Sequence, residues 1–393
     1  MDLRYTEDEE AFRARLKQWL AKAVPELPPA PDPLDWPGRR AYDTAWQRML
    51  YGAGYAGLHW PADAGGRGAT PTQHLIFLEE TERAGAPYVG ANFVGLLHAG
   101  PTIAAEGTAE QRARWLPPVL RGDEIWCQGF SEPGAGSDLA SLRTRAVRDG
   151  DHYVVSGSKI WTSHAEVADW CELLVRTEPV SEAVPKHRGI SWLAMPMDAP
   201  GVTVRPLRTL AGSTEFAEMF LDEVRIPVTD RVGAENDGWR VTMVTLSFER
   251  GTAFVGEVVA CRRTLGELAR TARENGRWED DPALRRRLGR LGAEFAALWR
   301  LTQWNVSESQ GGGGGGGFAV PGIGGSVFKL RYSQARQELY EAAAEVLGPD
   351  ALDLAHPWNQ DRLSSLSYTI AAGTSQIQQN IVAERILGLP KER

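Results

Sequence analysis

Strand-forming sequence is confined to one stretch of this chain, and helical sequence flanks it on both sides. From residue 123 onward the runs DHYVVSGSKIWTS, DWCELLVRT, GISWLAMPMD, GVTVRPL and AEMFLDEVRIP are short and rich in β-branched and aromatic residues. Pairs such as Asp149-Gly150, Ser156-Gly157 and Pro200-Gly201 punctuate them. Runs of that kind read as strands, and several in succession predict a compact antiparallel sheet or barrel. Before them, Phe12, Leu16, Trp19 and Leu20 recur at helical spacing. Beyond GAENDGW (residues 233–239) the helical period returns and lasts to the end. The order helices, strands, helices predicts an α+β multidomain protein with units at 1–122, 123–230 and 231–393.

Local chemistry sharpens the outline. The prolines of PELPPAPDPLDWPG (residues 25–38) predict a loop, with a helix following around Ala45 to Ala53. Thr70 or Thr72 caps a helix beginning near Gln73. Ile103 to Leu120 reads as one helix whose end is disturbed by Pro117 and Pro118, and Met243, Leu246, Phe254 and Val258 read as one helical face. Gly311 to Gly317 is an unbroken glycine tract, which predicts a mobile loop between two helices. No Lys-Ser/Thr pair follows it, as a phosphate-binding P-loop requires.

Charge and cysteine usage exclude several classes. Lys+Arg 43 against Asp+Glu 51 gives a net charge of -8, which argues against a nucleic-acid partner. No apolar run reaches the ~20 residues that span a bilayer. Cys127, Cys171 and Cys261 have neither CxxC spacing nor an even count, so a disulfide framework is not expected and a cytoplasmic protein is. The seven histidines lack HxxxH or HExxH spacing, so no metal centre is expected.

The most informative segment is IWCQGFSEPGAGSDLASLRTRA (residues 125–146). Glycines at 134 and 136 let backbone approach a ligand closely, Ser131 and Ser163 offer hydroxyls, and Trp161 offers a flat face for stacking. Each alone has an ordinary reading, as a turn or as core packing. Together, Ser131-Glu132-Pro133-Gly134-Ala135-Gly136-Ser137-Asp138 resembles the flavin-site signature of the acyl-CoA dehydrogenase family, with Phe130 where a smaller aliphatic is common. GGRGAT, LRGDEIW, SGSKIWTSHAEVADW, AENDGW and AAGTSQIQQNIVAERILGLP follow in the family's order, so the resemblance covers essentially the whole chain.

That resemblance implies an N-terminal helical domain, a middle antiparallel β-barrel and a C-terminal four-helix bundle, with FAD between them. It implies FAD contacts at Gln128, Phe130, Ser131, Trp161, Ser163, Thr374 and Gln376, and an acyl-CoA contact at Ser137. It also implies an electron-transfer flavoprotein as electron acceptor, and a homodimer, homotetramer or heterotetramer. The arginine-phenylalanine pair that some relatives extend to a neighbouring subunit's flavin has no counterpart in RENGRWEDDPALRRR, where Arg273 and Arg277 are weak substitutes.

Removing an α-proton from a thioester needs a carboxylate base held away from water. Many family members carry that glutamate just before Gly-Thr near the C-terminus. Here the position is Ala372, in Ala371-Ala372-Gly373-Thr374. Other members place the glutamate before an arginine on an earlier helix, and Glu249-Arg250 in VTMVTLSFERGTAFVG matches that place. The expected assignment is Glu249 as base, Arg250 as a substrate contact and the Ala372 backbone N–H as donor to the thioester oxygen, since backbone donates whatever the side chain. Two alternatives remain open: a non-catalytic partner subunit of a heteromeric enzyme, and an oxygen-using oxidase-like relative. A base entering from another helix, with Ala372 vacating volume, suits a branched, bulky or cyclic acyl group.

Overall fold

The structure is a computed structural model that describes residues 4–87, 89–252, 254–311 and 324–390; at 248–252, 308–311 and 324 it describes the backbone alone. The expected mobility of Gly311 to Gly317 therefore falls almost entirely outside the described residues. Helices α1 (Glu7–Ala23), α2 (Trp36–Ala53), α3 (Pro71–Arg83), α4 (Gly100–Glu106) and α5 (Ala109–Arg121) come first. Strands β1 (Trp126–Gly129), β2 (Arg145–Asp149), β3 (His152–Ser163), β4 (Trp170–Arg176), β5 (Ile190–Pro196), β6 (Val202–Leu207), β7 (Phe216–Pro227) and β8 (Arg231–Val232) follow. The chain closes with α6 (Gly238–Thr252), α7 (Val255–Glu274), α8 (Arg277–Asp280), α9 (Pro282–Gly311), α10 (Gly324–Leu347), α11 (Pro357–Ser365) and α12 (Ser375–Ile381). This is the expected order of helices, strands and helices.

Caps explain where the first helices begin; they correct two expectations and decide between the alternatives of a third. The proline-rich loop ends sooner than expected, because α2 starts at Trp36 with Asp35 accepting from Gly38 N at 3.0 Å. Pro37 sits in the first turn, where its missing N–H costs nothing. Thr70 rather than Thr72 caps α3, in a reciprocal box with Gln73. The stretch from Ile103 to Leu120 is two helices, since Gly107 ends α4 and Thr108 forms a fresh box with Gln111. Pro117 and Pro118 lie inside α5, which continues to Arg121 before Gly122 at φ 74° ends it.

The strands form one sheet in the order β6-β7-β3-β2-β4-β5-β8, with β1 beside β4. Most pairings are antiparallel as expected, but β1–β4 and β2–β4 are parallel, so the sheet is mixed. Tyr153, Val155, Leu173, Leu193, Met195, Met219 and Ile226 share one interior core, joined by Val202 and Val204 from the β6 end. Strands β6 and β7 thus share one interior with β4 and β5. A second core, of Trp60, Trp115, Trp126 and Trp192 with Val94 and Ile103, welds the N-terminal helices to the sheet. Trp126 meets Trp115 edge-on with ring centroids 5.9 Å apart. It thereby anchors β1, the strand that leads into the signature turn.

Helices α7, α9, α10 and α11 pack around Leu268, Leu291, Phe295, Tyr332 and Leu339 as the C-terminal bundle. Met243 and Leu246 do not share a helix with Val258, because the chain breaks between α6 and α7 and Phe254 stands at the N-cap of α7. Helix α6 packs instead against α4 and β5, and Thr102 Oγ1 donates to Thr245 Oγ1 at 2.9 Å. No helix among the described residues is long and apolar enough to cross a membrane. All three cysteines are buried and unbridged.

Burial of histidines gives the fold a defined acid limit. Burial pushes the His74 and His164 imidazoles down to about 4. Between that value and the ordinary 6.5 the unfolded chain binds protons that the folded chain refuses. The stabilisation is therefore complete above pH 6.5 and is lost as pH falls toward 4. By pH 5 each histidine forfeits roughly 2 kcal/mol. Thermal melts are expected to be level from pH 8 to 6.5 and to fall steeply below it. A transition temperature constant down to pH 4.5 would contradict this account.

Candidate functional site

The signature turn is built from inside the sheet outward. Glu132 and Ala135 exchange backbone bonds at 3.1 and 3.0 Å, closing a tight turn. The Glu132 carboxylate accepts from Arg143 N at 2.7 Å, Thr144 N at 2.8 Å and Lys159 Nζ at 2.9 Å. Lys159 is fully buried on β3 and also donates to the Phe130 carbonyl at 3.1 Å. Burial alone would raise the Glu132 carboxyl, but Lys159 and the Thr144 hydrogen bonds hold it below its ordinary range. Ile160 N donates to the Ser131 carbonyl at 3.0 Å, so β3 and the signature segment are stitched side by side.

Of the expected cofactor contacts, Gln128, Phe130, Ser131, Trp161 and Ser163 gather on this stitch. Gln128 lies on β1 opposite Glu172 of β4, and its Nε2 donates to Glu172 Oε1 at 2.8 Å and lies 3.2 Å from His98 Nδ1. His98 comes from a π-helical turn, Gly95–Ala99. The Phe130 ring is buried in the core, so only its backbone borders the turn. Ser131 and Ser163 are half-buried, while Ser137 is exposed past the turn.

Trp161 is the most unusual of the set. It is 58% exposed and has φ 62°, a backbone region costly for a bulky side chain. Its strand slips register between Lys159 and Thr162, and this bulge swings the indole outward, edge-on to Phe216 with centroids 6.0 Å apart. Nothing in the fold rewards an exposed, strained tryptophan, whereas a stacked planar ligand would. Beside it, the buried atoms Thr162 Oγ1 and His164 Nδ1 have no hydrogen-bond partner among the described residues. A Cβ added at Gly134 or Gly136 would meet nothing within 4 Å, so packing does not demand glycine there. Open backbone, an outward indole and idle polar atoms fit a flavin.

The remaining expected residues form a second group on the tail. Ala372 has φ 52° and Gly373 φ 83°, so the chain makes a left-handed kink before α12. Lys329 Nζ from α10 donates to the Gly373 carbonyl at 2.7 Å, and Gln378 Nε2 donates to the Ala372 carbonyl at 2.9 Å. The Ala372 N–H has no hydrogen bond among those described, which leaves it available to an oxygen. Thr374 is half-buried and caps α12 by accepting from Ile377 N at 3.2 Å, while Gln376 is exposed. Upstream, Tyr368 donates to Glu257 of α7 at 3.2 Å, as does Tyr332 of α10, and Arg336 pairs with the same carboxylate. Burial first and Glu257 second raise the Tyr368 hydroxyl, and the charge of Glu215, next to Phe216, adds to this. The kink is thus clamped to the bundle.

Glu249 and Arg250 fall in the last turn of α6, on a stretch where only the backbone is described. Arg273 is engaged over the Trp278 ring at 4.0 Å. Lys159, Lys329, Gln378 and the Glu257 cluster were not singled out from the sequence. For Lys159 a signal existed: it shares strand parity with the inward residues Tyr153 and Val155.

Comparison with known proteins gives one consistent picture. The N-terminal, middle and C-terminal domain profiles of acyl-CoA dehydrogenases match residues 6–123, 127–224 and 236–387. The chain is 39% identical over 394 residues to "Acyl-CoA dehydrogenase IpdE1" of Mycobacterium tuberculosis, covering 98% of this chain and 99% of that one. It is 36% identical to "Acyl-CoA dehydrogenase FadE26" of the same organism, covering 100% and 99%. Among solved structures it resembles the "Tcur3481-Tcur3483 steroid ACAD" at TM-score 0.83 and 31% identity, with 100% of each chain covered. It also resembles the ChsE4-ChsE5 complex from Mycobacterium tuberculosis at TM-score 0.81 and 33% identity, again with full coverage of both chains.

Proposed function

The chain belongs to the acyl-CoA dehydrogenase family, and from that premise we propose that it converts an acyl-CoA thioester to a 2,3-enoyl-CoA with FAD, passing electrons to an electron-transfer flavoprotein. The observation that carries this reading is Trp161, exposed and strained beside the signature turn. Gln128, Ser131, Trp161 and Ser163, the backbone at Phe130, and Thr374 and Gln376 from the tail would hold the flavin. FAD bound there supplies the acceptor for the hydride that leaves the β-carbon.

The chain's own residues do the rest. Glu249 takes the α-proton, and Arg250 and Ser137 orient the acyl-CoA. The Ala372 N–H donates to the thioester oxygen where enolate charge develops. Its kink is fixed in advance by Lys329, Gln378 and the Glu257 clamp, so donation costs little reorganisation. Separating base from donor leaves a methyl group at the kink, which supports a bulky or cyclic acyl group. The steroid enzyme among the solved relatives supports the same class.

A second reading concerns assembly. Two of the solved relatives are named as pairs of different chains, and this supports a heteromeric dehydrogenase of which the present chain is one subunit. The deciding experiment is anaerobic mixing of the purified protein, alone and co-expressed with a candidate partner, with short, long, branched and steroid-type acyl-CoAs. Bleaching of the flavin band by a cyclic thioester is expected. A colourless protein under both conditions would refute the proposal. Rapid reoxidation in air with peroxide release would select the oxidase alternative.

A further inference from the structure

Helix α10 meets the tail at three points. Gln337 Nε2 donates to the Ser365 carbonyl and to Thr369 Oγ1, each at 3.2 Å. Arg336 places its guanidinium carbon 4.2 Å from the centre of the Tyr368 ring. Lys329 holds the Gly373 carbonyl at 2.7 Å. A single helix therefore grips the chain on both sides of the Ala372 kink.

Arg336 is the charged centre of this contact. It is 7% exposed, pairs with Glu257 of α7 and donates to Tyr332 Oη at 2.8 Å. Burial alone would lower its guanidinium, but Glu257 and then Tyr332 outweigh burial and hold the group above its ordinary value. It therefore stays a cation. Glu257 in turn accepts from Tyr332 and Tyr368, each at 3.2 Å. The same two tyrosines hold a third ring. Phe254, two residues past the end of α6, stacks on Tyr332 with centroids 5.7 Å apart and stands edge-on to Tyr368 at 6.5 Å. Phe254 is the N-cap of α7. The joint behind the Glu249 turn and the kink at Ala372 thus share one anchor.

Resting on the dehydrogenase reading above, we propose that Arg336 is a positioning residue that fixes the base and the oxygen donor relative to each other. It acts through its neighbours and not on the thioester. Through Glu257 and Tyr368 it sets the Ala372 N–H, and through Tyr332 and Phe254 it sets the turn that carries Glu249. Proton removal and carbonyl polarisation act on one thioester at the same moment, so a common anchor keeps the two groups in register. A buried ion pair adds little net stability over apolar packing, whereas its directed bonds fix geometry.

The test uses the flavoprotein as purified with whatever partner it requires. Flavin bleaching reads the chemical step, and exchange of the thioester α-proton with deuterated solvent reads the base. The infrared carbonyl band of a bound, unreactive acyl-CoA analogue reads the donor. Arg336→Met is expected to lower the bleaching rate roughly a hundredfold with the dissociation constant little changed. It should also slow exchange and move the carbonyl band toward its position in free solution. Arg336→Lys keeps the cation without the planar fork and should recover part of the loss. Tyr368→Phe should shift the carbonyl band and, because a less polarised thioester is a weaker acid, slow exchange too. Phe254→Leu should slow exchange with the band in place. These two milder variants decide the matter should Arg336→Met fail to fold. Exchange and carbonyl band as in the wild type, with only stability lowered, would overturn the proposal, while wild-type bleaching leaves the dehydrogenase reading standing. No bleaching of the wild type by any thioester defeats both.

Discussion

Glu249→Gln is expected to lower kcat by about a thousandfold while the acyl-CoA still binds, because general-base catalysis contributes on the order of 10² to 10⁴. Glutamine has the shape of glutamate without a basic oxygen, so the dissociation constant for the thioester should change little. The loss should fall on kcat rather than on KM, as for a group needed only in the transition state. Rapid-mixing measurements of flavin bleaching read the chemical step directly, and a binding titration reads affinity. Turnover within a few-fold of wild type would remove Glu249 from its role. Since Ala372 offers no basic side chain, the base position that many relatives use near the tail would not mask the effect.

The second large effect is structural. Lys159→Met leaves the Glu132 carboxylate without its ammonium partner in a site where Lys159 is fully buried and Glu132 is 9% exposed. Breaking a buried ion pair from one side costs about 3–5 kcal/mol. Urea titration should register a loss of that size, together with loss of flavin, because Lys159 also holds the Phe130 carbonyl. Adding Glu132→Leu should restore only part of the stability. The N–H groups of Arg143 and Thr144 would then lose their acceptor in turn. Unaltered stability in Lys159→Met would mean that the pair does not organise the turn.

The order of helices and strands was legible because the hydrophobic period changes with each unit, and the strand runs around Val154, Leu173, Leu193 and Met219 all appear in the sheet. Helix ends were less legible wherever proline was involved. Pro37 opens a helix and Pro117 sits within one, a difference set by capping and context rather than by the residue itself. The parallel β1–β4 and β2–β4 pairings are long-range facts that no local pattern encodes. Trp161 shows the limit most clearly. Strand alternation would turn it inward with Tyr153, Val155 and Lys159, and only the bulge between Lys159 and Thr162 reverses it. The tail kink was visible as a motif, but its clamp was not, since Lys329, Glu257 and Tyr368 meet across three separate elements.

The left-handed kink at Ala372 offers a backbone amide and carries a methyl where many relatives carry a carboxyl. An amide does not titrate in any biological range, so grip on the thioester should be indifferent to acidity, while the speed of conversion follows a single ionisation elsewhere. Capture and turnover are then metered by separate variables, and a shift in the surrounding pH would slow the enzyme without emptying it.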